Sequence, residues 1–157
     1  MFEASRREID DVLKCFLREG LNGTTVTCVL VGAETCLRRW VRYEIFRSFM
    51  PGNGPLAIRI HSIGSLHSPA TVSGCNPFDC LAFNLDGDAV RFREKMTTGW
   101  EQARDLGTMP SKDVAYNLGG RTHHTFSCLF PIYDWEADRG YDDLGGWIEK
   151  AAKQAGC

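Results

Sequence analysis

The sequence predicts a single α/β domain built on a mostly parallel sheet, and three observations carry that prediction. The first third of the chain alternates helix, strand, helix, strand by its apolar spacing. The run Thr25 to Val31 is β-branched and apolar on both faces, as a strand covered by helices on each side would be. At 157 residues with 43% hydrophobic content, the chain is long enough for one domain with a real core and short for two.

The elements follow in order. Ser5 with Glu8 three residues later forms a capping box, and Ile9, Val12, Leu13, Phe16 and Leu17 repeat at helical spacing, so a helix is expected from about Arg6 to Arg18. Gly20 and the Asn22-Gly23 pair end it, and the strand Thr25 to Val31 comes next. A second helix, from Leu37 to Phe49, stops at Pro51-Gly52, and Leu56 to Ile60 reads as the neighbouring parallel strand. Small and polar residues then run through Ser73, followed by Asn76-Pro77-Phe78-Asp79, a turn with an aromatic anchor. Leu81 to Asn84 and Val90 to Phe92 flank Asp86-Gly87-Asp88 as a β-hairpin, and Trp100 with Leu106 marks a short amphipathic piece or packed loop. Phe126 to Tyr133 is β-prone, with Pro131 placing it at an edge or a strand end. Leu144, Trp147, Ile148 and Ala151 set the face of a last helix, Tyr141 to Ala155, whose first turn is weakened by Gly145 and Gly146.

Composition excludes several functions. A net charge of -2, a pI near 6.1 and the lack of a long basic stripe predict no nucleic-acid partner. No stretch reaches the apolar length of a membrane span, and charged residues rather than a signal-peptide core follow Met1, so a soluble, cytoplasmic protein without a membrane partner is expected. The seven cysteines, Cys15, Cys28, Cys36, Cys75, Cys80, Cys128 and Cys157, are odd in number and form no CxxC pair, which argues against a disulfide framework. Cys28 in an apolar strand and Cys15 beside an apolar helix face read as reduced thiols acting as small hydrophobes. His61, His67, His123 and His124 do not stand at ligand spacing with these cysteines, so no metal site is expected. His123-His124 reads as a polar loop or strand end.

The candidate for chemistry is Glu44. On a helical wheel Leu37, Trp40, Val41, Ile45 and Ser48 share one arc, and Glu44 falls inside it. Burying a carboxylate costs several kcal/mol unless it is paired, so such a Glu is either salt-bridged structure or a working group. In open α/β sheets ligands bind beyond the carboxyl ends of the strands, and Glu44 stands about two turns into a helix that leaves such an end. Arg38, Arg39 and Arg42 are placed either to reach a pyrophosphate or to pair with the acid, whereas Tyr43 and Phe46 lie on other sides of the wheel as packing or interface residues. No P-loop and no GxGxxG follows any strand, and no acidic residue ends one, which disfavours a phosphate-loop enzyme and a phospho-acceptor receiver.

The segment Thr25-Val26-Thr27-Cys28-Val29-Leu30-Val31-Gly32 with Arg39-Trp40-Val41-Arg42-Tyr43-Glu44-Ile45 resembles the TIR-like domains of the bacterial Thoeris anti-phage system, of the ThsB type. Gly52-Asn53, His61, Asn76-Pro77-Phe78-Asp79, Tyr133-Asp134-Trp135, Gly140-Tyr141 and Trp147 follow in that family's order, so the resemblance spans roughly Leu17 to Ile148. It implies one flavodoxin-like (TIR-like) α/β domain over residues 1–157. The implied activity is cleavage of NAD at the nicotinamide–ribose bond to make a cyclic ADP-ribose signal for a partner effector. NAD would be the substrate, with no cofactor. The resemblance makes Glu44 catalytic and lets Trp40 line the same site, with Arg39 as a further substrate-binding residue. The chemistry agrees, because breaking a glycosidic bond builds positive charge on the ribose that a fixed carboxylate stabilises, and an aromatic wall offers a flat surface to a base. Asn76, Phe78, Tyr133, Asp134 and Trp135 read as structural.

One departure shapes the expectation. Members of the family begin with a central strand, a helix and a mobile loop ahead of the helix that starts here near Arg6, so the chain reads as amino-terminally truncated. The missing strand would border Thr25 to Val31, leaving that run an unprotected edge prone to self-association, and the missing loop would close over NAD. The competing reading is a catalytically inactive TIR-like scaffold that assembles through that edge. The nucleotides upstream of the Met1 codon would discriminate between a longer start and a remnant.

Overall fold

The computed structural model describes residues 2–64 and 70–156, with side chains described from Arg7 onward. His67 and Cys157, which entered the metal and disulfide expectations, lie outside the described residues. Two sheets share the chain. A three-stranded parallel sheet has the order β1-β2-β8, from β1 (Val26–Val31), β2 (Gly54–Arg59) and β8 (Ile132–Asp134). An antiparallel sheet has the order β5-β4-β3-β7, from β3 (Leu81–Asp86), β4 (Ala89–Met96), β5 (Gly99–Gln102) and β7 (His123–Thr125), with β6 (Met109–Pro110) pairing β4. The helices are α1 (Phe2–Leu21), α2 (Arg39–Phe49) and α3 (Gly140–Gln154).

The α/β class and the parallel pairing of the first two strands follow the expectation, with Val26 opposite Gly54 and Val31 opposite Arg59. The hairpin across Asp86-Gly87-Asp88 forms as well, Gly87 taking the positive φ its turn requires. It grows into a sheet of its own because β4 continues to Met96 and pairs both β5 and β6, which turns the stretch around Trp100 into strand. Pro131 sits just before β8, at the outer edge of the parallel sheet, and its carbonyl accepts from Ala57 N–H. The pair His123-His124 lies within β7, where His124 is buried and stacks on Phe83.

Three expectations are corrected. Helix α1 begins at Phe2, so Ser5 stands inside it rather than at its N-cap, and the helix passes Gly20 to end before Gly23, whose φ is +72°. Strand β1 is fully covered on one face only. Thr27, Val29 and Val31 are buried against α2, but on the other face Cys28 and Leu30 are exposed, because α3 centres on Leu56 and Ile58 of β2 and covers β1 only in part, with Val26 packed against its cluster. Cys15 is exposed too, so neither cysteine acts as a buried hydrophobe. Finally, Cys36 and Cys75 form a disulfide, against the expectation of no disulfide framework. Their 39-residue separation carries no spacing signal; the fold brings their Cα atoms to 6.0 Å.

The core lies between α2 and the antiparallel sheet. Phe46 and Phe49 are fully buried among Phe83, Phe92, Phe126 and Phe130. A smaller cluster holds α3 to the far face of β2, with Trp147 stacked on Tyr133 at 4.2 Å beside Leu56, Ile58 and Ala151. Gly54 permits this approach, since a Cβ there would overlap the Ala151 carbonyl. The turn at Asn76 is built as expected: its side chain accepts from Phe78 N–H at 3.0 Å and Phe78 is fully buried.

Candidate functional site

Helix α2 carries the candidate site, and its placement begins at the end of β1. There Thr35 Oγ1 accepts from Gly32 N–H at 2.9 Å and donates to Leu30 O, closing a tight turn into the 3-10 segment Thr35–Leu37. Leu37 belongs to that segment and is exposed, so it does not join the helical arc. Buried residues occupy most of the helix circumference, with Ile45, Phe46 and Phe49 deepest and Tyr43 and Arg42 nearly as buried. Trp40, Val41 and Glu44 are half-buried at the margin. The arc inferred from periodicity therefore runs from the core, at Ile45 and Ser48, out to its flank, where Trp40, Val41 and Glu44 stand. Tyr43 and Phe46 are packing residues, as read.

Glu44 occupies that flank without an ion-pair or hydrogen-bond partner among the described residues. The three arginines that stood as candidate partners are engaged elsewhere. Arg38 pairs with Glu34 at 3.1 Å. Arg39 reaches Asp10 at 3.0 Å and Asp105 at 2.5 Å. Arg42 donates from Nε to the Cys36 carbonyl at 2.9 Å and points Nη1 at Glu94, 3.4 Å away. The salt-bridged alternative for Glu44 thus finds no support in the geometry. Burial pushes the Glu44 carboxyl above its ordinary range, as desolvation of an unpaired acid must.

Trp40, one turn before Glu44, meets Tyr43 edge-on at 5.7 Å, and the Arg39 guanidinium lies 4.8 Å from the indole centre. Ser48, one turn after Glu44, is fully buried and donates to Thr27 Oγ1 at 2.7 Å, which pins this face of α2 to β1. The uncovered edge of β1 has no strand beside it among the described residues. A broad cleft between α1 and the end of α2 is lined by Cys15, Arg18, Arg47, Met50 and Asn53. Another is lined by Arg39, Arg42, Tyr43, Glu94 and Asp105. Glu44 lines neither.

Sequence reasoning missed Asp105. Its carboxylate is held by Arg39 and Lys14 and so joins α2 to α1, and these hydrogen bonds, Arg39's first, hold its carboxyl below the ordinary range. No local pattern marks it, because its partners lie 91 and 66 residues away.

The order strand, tight turn, Trp40 and Glu44 coincides with a known family. The profile described as "Thoeris protein ThsB, TIR-like domain" matches residues 2–64. A protein of Bacillus cereus (strain MSX-D12) named "Putative cyclic ADP-D-ribose synthase ThsB1" is 34% identical over 150 residues, which cover 94% of this chain and 78% of that protein. This chain belongs to the Thoeris ThsB family of TIR-like proteins. The relationship extends past the profile's limit at residue 64 and takes in both sheets, since it spans nearly the whole chain. No described helix is long and apolar enough to cross a membrane.

Proposed function

We propose that this ThsB-type protein cleaves NAD at the nicotinamide–ribose bond through Glu44 and makes a cyclic ADP-ribose signal for a partner effector in the cytoplasm. The observation that carries the reading is a half-buried carboxylate with no ion-pair partner among the described residues, one helical turn from Trp40. A structural acid at such a place ordinarily acquires a cation, and three arginines of the same segment pass it by. The relative named for cyclic ADP-D-ribose synthesis supports the product class. In this reading Glu44 stabilises the positive charge that develops on the ribose, and Trp40 offers its ring to the nicotinamide or adenine. Arg39 contributes to substrate binding by steadying Trp40 from a position already fixed by Asp10 and Asp105.

The test is chromatography of nicotinamide and cyclic ADP-ribose after NAD is added to triggered extract. Glu44→Gln keeps the shape and removes the charge, so turnover should fall by about two to three orders of magnitude. Its folded protein should also be more stable than the parent at neutral pH. A raised carboxyl pKa means that the ionised form is penalised in the folded state; stability therefore falls as pH rises from the ordinary value through the folded one, and the advantage of Gln should vanish in acid below that window. Trp40→Ala should reduce turnover less cleanly, since it also removes packing against Tyr43. Product formation by folded Glu44→Gln at the parental rate would make Glu44 structural.

The scaffold reading has its own observation. Among the described residues Val26–Val31 is paired on one side only, and antiparallel pairing with the same strand of a second copy is self-complementary about a two-fold axis. Self-association and catalysis are compatible, and turnover by the parent but not by Glu44→Gln would reject an inactive scaffold.

A further inference from the structure

The disulfide stands where the parallel sheet hands the chain to the candidate helix. Cys36 is 2% exposed in the 3-10 turn between β1 and α2, whereas Cys75 is exposed on the segment that leads into the Asn76 turn. The two segments also meet at backbone level, because a Cβ on Gly74 would overlap the Gly32 carbonyl. From Cys36 the connection continues into α2: its carbonyl accepts from Arg42 Nε, and Arg42 in turn reaches Glu94 and Met96 Sδ on β4. The bond thus anchors the turn that sets the start of α2, four residues before Trp40.

We propose that Cys36–Cys75 is a redox-modification site, opened on the side of exposed Cys75 by a dithiol reductant, and that its state sets how firmly the entry to α2 is held. Of the two residues Cys75 is the one a thiolate can approach from solvent, and the sulfur of buried Cys36 is the leaving group. A reductant thiolate bonds to Cys75 Sγ, and the electron pair of the broken S–S bond departs on Cys36 Sγ, which takes a proton. The second thiolate of the reductant then attacks its own sulfur in the mixed disulfide; Cys75 leaves and takes the second proton. Two electrons and two protons are transferred, and the reductant ends as a disulfide.

The geometry distinguishes this pair from a purely structural crosslink. β1 and β2 remain joined by their own ladder, and the Gly74–Gly32 approach does not depend on sulfur, so opening the bond loosens one turn and leaves the sheets standing. A disulfide with one exposed cysteine belongs to the labile class, and in a reducing compartment such bonds serve as redox sensors.

The full chain is equilibrated in dithiothreitol buffers of stepped potential, quenched in acid, alkylated and read by peptide mass spectrometry, with hydrogen exchange measured in parallel. At oxidising poise Cys36 and Cys75 should resist alkylation while exposed Cys15 and Cys128 react. At reducing poise the pair should react in step, with circular dichroism unchanged and recovery on reoxidation. Exchange over residues 35–40 and 70–76 should rise about tenfold on reduction, with α3 unaffected. Cys75→Ser should show the reduced pattern at every potential. Alkylation of both cysteines at oxidising poise, resistance of the bond to dithiothreitol until the protein unfolds, or unchanged exchange in the reduced chain would each overturn the proposal. These readouts do not require NAD turnover, so they fail independently of the role given to Glu44.

Discussion

Helices α1 and α2 look alike in sequence and meet opposite fates. Both space apolar residues at helical intervals, but Ile45, Phe46 and Phe49 of α2 are fully buried while Ile9, Val12 and Phe16 of α1 are 66%, 66% and 69% exposed. Leu13 and Leu17 of α1 are half-buried, so the helix is attached along one edge of its apolar face rather than across it. Periodicity reports that a helix has a face to bury; it does not report what buries it. For α2 the cover is the antiparallel sheet, which arrives later in the chain.

The sharpest way to break the comparison is at Phe49, whose ring contacts Phe83, Phe92, Tyr116, Phe126 and Phe130. Phe49→Ala should cost about 3–5 kcal/mol in denaturant unfolding, the range for an aromatic removed from a closed core. The link between the helices is weaker. Asp105 holds Lys14 of α1 and Arg39 of α2 at a residue with φ +65°, a conformation that Asn tolerates, so Asp105→Asn removes the charge without straining the backbone. At neutral pH the loss should be at most about 1 kcal/mol and should shrink in high salt. Because the folded pKa is depressed, the contribution is complete above the ordinary carboxyl value and is lost as pH falls through the folded one; unfolding curves of variant and parent should converge in strong acid. The smallest effect on stability is expected at Phe16, where Phe16→Ser should change unfolding by no more than about 0.5 kcal/mol. Phe16 lies off the Val26–Val31 edge through which self-association is read, and a parent that light scattering finds to be a soluble monomer at high concentration would remove self-association through that edge.

Much of the fold was legible because it is local. The turn at Gly87, the Asn76 cap and the α3 face at Trp147 each depend on residues a few positions apart, and local spacing likewise marks β1 and β2 as strands, although their pairing joins Val26 to Gly54 across the whole of α2. The candidate Glu44 was legible through its place among Trp40, Ile45 and the strand before them, and its family resemblance was readable in the same residues.

The choice of partners came from the packing of distant segments. Local spacing led to Glu44 being placed among core residues, but the chain path sets it at the margin and turns Arg38, Arg39 and Arg42 toward Glu34, Asp10, Asp105 and Glu94. The same path brings Cys36 to Cys75 and Asp105 to Lys14, and it leaves the outer face of α1 and of Leu30 uncovered. Apolar periodicity is a property of neighbouring residues, so local spacing was enough to say which faces seek burial and where the candidate carboxylate stands. Which groups meet across dozens of residues depends on how the two sheets pack around α2, and that packing is settled only when the whole chain has closed on its core.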